Sequence, residues 1–172
     1  MLIAKGDKFA FREFYALFQE RVYNTAISYV QNVADAEEIT QDVFLKIYKN
    51  ALKFKGTAAV STWIYRITVN TALNVLKKRQ RFSFFKLGRE ETAISDFDHP
   101  GILLEKKEDA KILFAEIKRL PSNQQTAFIL SFIEGLPRQK VAAIMDTTLK
   151  AVESLLQRAK KNLRVQLEKR LT

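Results

Sequence analysis

The sequence predicts an all-α chain: two small helical domains, an N-terminal helical bundle and a C-terminal helix-turn-helix domain, joined by an acidic flexible linker. Three observations lead there. Apolar residues recur at helical spacing along most of the chain. Only five Gly and three Pro are present, too few turn signals for a many-stranded sheet. Charge falls in blocks: Lys and Arg against Asp and Glu stand at 14 to 7 over residues 1–87, 3 to 7 over 88–110, and 12 to 5 over 111–172. The blocks carry +7, −4 and +7, the +10 of the whole chain. Two basic bodies point to polyanionic partners, and the acidic stretch between them belongs elsewhere. The domain limits read from this pattern are 1–85, a linker over 86–105, and 106–172.

The length of 172 residues suits one ordinary domain or two small ones, and 47% hydrophobic residues supply cores. Without cysteine there is neither a disulfide framework nor a thiolate zinc site. The one histidine, His99, stands beside Pro100 in the acidic stretch and reads as a solvated loop residue. The first residues lack the basic head and long apolar core of a signal peptide. No apolar run approaches the roughly 18 residues that cross a bilayer. The expected location is cytoplasmic.

The first helix is expected from Asp7, its N-cap, to about Gln31, with Phe11, Phe14, Tyr15, Phe18, Val22, Ala26 and Tyr29 recurring along it. A second runs from about Asp35 to Lys53. Asp35 with Glu38 has the capping-box spacing, and Ile39, Val43, Phe44 and Ile47 form the apolar stripe. Gly56 interrupts the pattern. A third helix follows from about Ser61 to Arg81, with Trp63, Ile64, Ile67 and Leu73 or Leu76 buried. It ends in Lys77, Lys78, Arg79 and Arg81, cations where the helix dipole favours them.

Residues 82–103 lose helical order, being punctuated by Gly88, Ser95, Pro100 and Gly101 and carrying Glu90, Glu91, Asp96 and Asp98. The stretch exceeds most loops within compact domains, so it is functional or disordered. Further helices are expected at about 104–118, 122–133, 137–144 and 148–170, with Pro121 and Pro137 in first turns and Gly135 ending the helix before Leu136.

Residues 138–156 read as a helix-turn-helix. Ala142 permits close approach, while Val141, Ile144, Leu149, Val152 and Leu155 or Leu156 fill the shared core. Asp146 takes the left-handed turn conformation, and Thr148 caps a second helix whose first turn would enter a major groove. The same spacing also fits a helical hairpin that touches no DNA. On the third helix, Phe54, Trp63 and Tyr65 lie near Lys55, Arg66, Asn70, Lys77 and Lys78, aromatic faces for exposed bases and cations for phosphates. Trp63 at that spacing equally suits a core. Asp35, Glu37, Glu38, Gln41 and Asp42 favour a helix start by the dipole. An acidic patch on a basic body could instead face a basic protein partner. There is no Gly-rich phosphate loop, metal-ligand spacing or nucleophile–histidine pair, so no enzyme, metal or cofactor is expected.

In this order the pieces resemble the extracytoplasmic-function (ECF) group of bacterial RNA polymerase sigma factors, within the sigma-70 family, over nearly the whole chain. The run Asp35–Lys46 is similar to the region 2.2 helix that docks on the clamp helices of the polymerase's largest subunit. The resemblance assigns Asp35, Glu37, Glu38, Gln41, Asp42 and Phe44 to that surface. The run Ser61–Ala72 is similar to the region that reads and melts the minus-ten element. It implies a flipped-base pocket at Phe54, Lys55, Gly56 and Thr57, with Trp63, Tyr65, Arg66, Asn70, Lys77 and Lys78 along the same strand. Leu120, Pro121 and the run Gln125–Lys161 are similar to region 4, which binds the minus-thirty-five element. Arg138, Thr147, Thr148, Lys150, Ala151, Ser154, Gln157, Arg158 and Lys161 are the residues this implies.

The resemblance further implies that Glu90, Glu91, Asp96 and Asp98 thread towards the polymerase active-site channel. The implied partners are core RNA polymerase, promoter DNA both double-stranded and melted, and an anti-sigma factor. Glu153 and Leu155 depart from the family pattern, which often has Lys or Arg there. Two other readings compete: a stand-alone DNA-binding regulator using residues 120–165, and a helical interaction module with solvated basic faces.

Overall fold

A computed structural model of the chain describes residues 2–54, 56–85 and 107–171. Among the described residues the regular structure is helical throughout. The chain divides into two compact units, Met1–Arg81 and Phe82–Thr172.

The first unit is built from α1 (Lys8–Val30), α2 (Val33–Asn50) and α3 (Val60–Phe85) up to Arg81, α3 running four residues beyond its expected end, with short 3-10 turns at Leu2–Lys5 and Ala51–Lys53. Asp7 caps α1 as expected, its Oδ1 accepting from the N–H groups of Phe9 at 2.9 Å and Ala10 at 3.0 Å. Gln31 ends the helix in the left-handed conformation and donates its N–H to the Ile27 carbonyl at 2.9 Å. The cap of α2 is Asn32 rather than Asp35. Its Oδ1 accepts from the Asp35 N–H at 3.0 Å, which moves the helix start two residues towards the N-terminus and leaves the Asp35 carboxylate free for another partner.

The second half of α1 is enclosed on all sides, from Thr25 to Val30. Its hydroxyls therefore turn back on the helix, Thr25 Oγ1 to the Arg21 carbonyl at 2.9 Å and Ser28 Oγ to that of Asn24 at 2.8 Å. The packing of α2 on α1 centres on Phe44, which lies 4.5 Å from the Tyr15 ring and meets Phe14 and Phe11 edge-on at 6.3 and 6.4 Å. Lys46 Nζ donates to Thr71 Oγ1 at 2.9 Å and ties α2 to α3.

The second unit comprises α4 (Lys107–Lys118), α5 (Ser122–Phe128), α6 (Arg138–Met145) and α7 (Leu149–Leu171). Pro121 and Pro137 stand one residue before their helices, at the N-cap rather than inside the first turn. The chain leaves α5 through a π-helical turn, Ile129–Ile133, and Gly135 reverses it with φ +64°. Phe132 comes out at the surface there, stacked on Phe128 at 4.9 Å and covered by Lys160 Nζ at 4.6 Å. The core holds Phe114, Ile117, Leu130, Val141, Ile144, Val152 and Leu156. Leu149, expected among them, is exposed at the first position of α7, and Leu156 rather than Leu155 is the fully covered member of its pair.

One ionic group is sealed inside this unit. Glu116, 0% exposed, accepts from Arg119 Nη1 at 3.0 Å on its own helix and from Arg170 Nε at 2.7 Å near the end of α7. Both arginines keep access to water. Removing them would strand a dry carboxylate, whereas removing the acid would free two solvated cations. The double replacement Arg119→Ala/Arg170→Ala is expected to cost the second unit about 3–5 kcal/mol in urea unfolding. Glu116→Ala costs less.

Candidate polymerase and nucleic-acid interfaces

Three helix faces carry the residues singled out in the sequence. On α2 the core stripe is Ala36, Ile39, Val43, Phe44 and Ile47. Phe44 is 3% exposed, so it lies behind the outer face of α2 and is not part of it. Its ring packs against Phe11, Phe14 and Tyr15 of α1. The exposed arc holds Glu37, Glu38, Gln41 and Asp42 and continues into Leu45, Tyr48 and Leu52. Leu45 and Tyr48 sit three residues apart on one face of α2, and Leu52 follows in the 3-10 turn beyond it. Leu45 is 54% exposed. The sequence reading missed this apolar extension, although the four-residue step from Gln41 leads to Leu45.

Asp35 belongs to another arrangement. Its side chain is 12% exposed and its Oδ1 pairs with the guanidinium of Arg79 on α3, so the first turn of α2 is fastened to the basic end of α3. Oδ2 is buried with no hydrogen-bond partner.

On α3 the residues Trp63, Arg66, Asn70, Asn74, Lys77 and Arg81 recur at three- and four-residue steps and share one side. Trp63 and Arg66 are half-buried, and the four beyond them are exposed. Tyr65 lies about 200° round the helix from Trp63 by helical geometry. It is 4% exposed, a core residue and not a stacking platform. Phe54 instead meets Trp63 at 4.9 Å with the rings tilted by 38°, and both keep part of their surface in water. Gly56 adopts φ +71° and Thr57 is exposed, in the turn between Phe54 and α3. Asn74 and Arg81 join the face although the sequence reading did not single them out. Lys78 is exposed beside it. Lys55 and the linker acids Glu90, Glu91, Asp96 and Asp98 lie outside the described residues.

In the second unit the turn between α6 and α7 has the expected chemistry. Asp146 adopts φ +52°, Thr147 N–H donates to the Ala142 carbonyl at 3.0 Å, and Thr148 Oγ1 accepts from the Ala151 N–H at 3.1 Å. Val152, Leu156, Ala159 and Leu163 turn inward. Lys150, Glu153, Ser154, Gln157, Arg158 and Lys161 are consequently exposed, while Ala151 is half-buried behind them. Ser154 Oγ donates to the Lys150 carbonyl at 3.0 Å, and Arg158 Nε to that of Ser154 at 3.2 Å. Arg138, at the start of α6, reaches Glu153 at 3.4 Å.

Among the described residues no group of three or more His, Cys, Asp or Glu side chains could hold a metal ion, and no helix is long and apolar enough to cross a membrane. What the three faces offer is an acidic and apolar strip, an aromatic pair leading into a polar and cationic line, and a helix-turn-helix with an exposed polar face.

The chain matches the family model for Sigma-70 region 2 over residues 14–82 and that for Sigma-70, region 4 over residues 111–163. It is 31% identical over 169 residues to the ECF RNA polymerase sigma-E factor of Escherichia coli strain K12, covering 92% of this chain and 86% of that relative. The chain belongs to the ECF group of RNA polymerase sigma factors. The RNA polymerase sigma-H factor of Pseudomonas aeruginosa is 28% identical over the same shares. Solved structures share the fold. The sigma factor RpoE in complex with the anti-sigma factor NepR, from Bartonella quintana, has a TM-score of 0.71 at 23% identity, covering 92% of this chain and 97% of that one. CnrH in complex with the cytosolic domain of CnrY has a TM-score of 0.69 at 19% identity, covering 97% and 93%. As a member of this family the sigma factor is not itself an enzyme.

The Asp35–Arg79 pair yields a stability test. In a double-mutant cycle with Asp35→Asn and Arg79→Ala, urea unfolding of the first unit is expected to give a coupling of about 0.5–1 kcal/mol. Additive losses would mean that the two side chains do not support each other.

Proposed function

We propose that this sigma factor binds core RNA polymerase through the exposed arc of α2, opens the minus-ten element along α3, and reads the minus-thirty-five element with α7. Residues 1–85 then form the docking and melting domain and 106–172 the upstream reader. The single observation that carries this reading is the alignment of Trp63, Arg66, Asn70, Asn74, Lys77 and Arg81 on one side of α3. Aromatic surface at one end can hold an unpaired base while the cations track the phosphates of the same strand. Capture of unpaired bases couples to melting, because every base held in the single-stranded form shifts the duplex equilibrium towards opening.

On α2 the acids Glu37, Glu38 and Asp42 suit a basic partner surface, and Leu45 with Tyr48 supplies the apolar area such an interface needs at its centre. The linker acids Glu90, Glu91, Asp96 and Asp98 would occupy a path built for nucleic-acid phosphates until RNA displaces them. An anti-sigma protein that competes for one of these faces is the proposed regulator, in keeping with the NepR complex of the Bartonella relative. The site of action is the cytoplasm, with the polymerase.

Purified core polymerase tests the whole reading. The expected result is a stable complex and run-off transcripts from defined start points. Glu38→Lys with Asp42→Lys is expected to weaken that complex by about tenfold or more with helical content unchanged. DNA binding without any association with polymerase would overturn the proposal in favour of a stand-alone regulator.

Upstream recognition has its own signature. Removing Arg158 and Lys161 is expected to lower affinity for the minus-thirty-five duplex and to flatten the salt dependence, the slope of log K against log salt falling by about two. If open-complex formation changed while upstream affinity did not, the role of α7 would be wrong.

A further inference from the structure

The face of α7 assigned to duplex DNA carries one carboxylate, Glu153, and it does not stand alone. Oε1 of Glu153 pairs with Arg138 Nη1 at 3.4 Å, joining the start of α6 to the middle of the exposed face of α7. The two side chains are 49% and 54% exposed, and a pair so open to water contributes little to stability. Folding therefore gives no reason to place an acid here. On a phosphate-facing surface it is a cost, because duplex DNA presents a dense row of negative charge. Glu153 also sits between Lys150 and Gln157, in the row from which base edges would be read.

We infer that Glu153 is a specificity-determining residue that accepts a hydrogen bond from the N4 amino group of a cytosine in the upstream element, with Arg138 as the positioning residue that neutralises it and fixes its rotamer. The inference rests on the reading of α7 as the upstream reader. A carboxylate offers acceptors only. In the major groove it therefore seeks an amino donor, and cytosine N4 and adenine N6 are the two available. Adenine sets its N7 acceptor beside N6, which would face the second carboxylate oxygen lone pair to lone pair. Cytosine presents only C5–H on the outer side of its amino group in the major groove, which leaves room for the second oxygen, so it is preferred. Gln157, one turn further along, has both a donor and an acceptor and so suits adenine instead. Arg138 offsets the repulsion between Glu153 and the backbone through Oε1, which leaves Oε2 to meet the base.

The test uses the full chain assembled on core polymerase and a library of duplexes randomised across the upstream element. The wild-type holoenzyme is expected to prefer cytosine at one position by about tenfold to a hundredfold. Glu153→Ala is expected to abolish the preference there alone, while affinity for unrelated duplex rises because a phosphate-repelling charge has gone. Arg138→Ala is expected to blur the same position, and Arg138→Lys to restore part of the preference, which a purely structural loss would not do. Glu153→Gln, close in shape, controls for folding and shifts the preference towards adenine. Unchanged base preferences in Glu153→Ala, a wild type with no cytosine preference, or losses spread over several positions would overturn the inference and leave the upstream role of α7 standing. A wild-type holoenzyme that selects no upstream sequence would overturn both.

Discussion

The packing of Phe44 against Phe11, Phe14 and Tyr15 sets the rotation of α2 about its own axis, and the docking arc follows from that rotation. A helix side chain has no independent choice of direction once its neighbours at three- and four-residue steps are buried. With Ile39, Val43, Phe44 and Ile47 held inward, Glu38, Gln41, Asp42 and Leu45 must point away. The aromatic cluster thus sets the proposed interface as much as the acids do, from within the core. A rotation of α2 by one residue would exchange Val43 for Asp42 in the core and turn the acidic patch aside.

The same partition governs α3, where it meets a second constraint. The arc through Ile64, Tyr65, Thr68 and Ala72 faces inward, which leaves the line from Trp63 to Arg81 on the outer side, the face proposed for a strand of nucleic acid. Asp35 holds Arg79 at the basic end of that helix, so the start of α2 and the end of α3 share a charge pair. Asp35 lends its carboxylate to alignment of the first unit and is withdrawn from the surface that a partner would meet. An acid close to a phosphate path is tolerable in that role because Arg79 offsets its charge.

Much of this was legible in the sequence, and the misses have definite causes. Caps and turns were readable because local chemistry decides them: Asp7 and Thr148 accept from N–H groups two or three residues on, and Asp146 tolerates a left-handed backbone. The cap of α2 went to Asn32 because both Asn32 and Asp35 have capping side chains and only the path of the chain out of α1 chooses between them. Phe44 stood rightly in the apolar stripe but was also assigned to the docking surface, and Tyr65 to a stacking face, because an aromatic type suits a core and a binding face equally; the arbiter is angular position around the helix. Counting from Trp63 would have put Tyr65 on the far side and brought in Asn74 and Arg81. The π-helical turn at Ile129–Ile133 has no local sequence signal of the kind that Gly135 provides for the reversal after it.

The sequence blocks 1–87 and 111–172 carry equal net charge, +7 each, yet on the proposed reading the face of α7 gives up part of its attraction for DNA to Glu153. Joining the two units in one chain accounts for this. Once one unit is held at the promoter, the other meets its element at an effective concentration set by the tether instead of by free diffusion. The second contact then needs little affinity of its own, and non-specific attraction becomes a handicap because every stretch of genomic duplex competes for it. Under that constraint an acid on the reading face raises the ratio between the right sequence and the wrong ones at the expense of binding strength that the tether already supplies. A departure from a uniformly basic face on α7 costs the proposed two-point reader less than it would cost a single isolated domain.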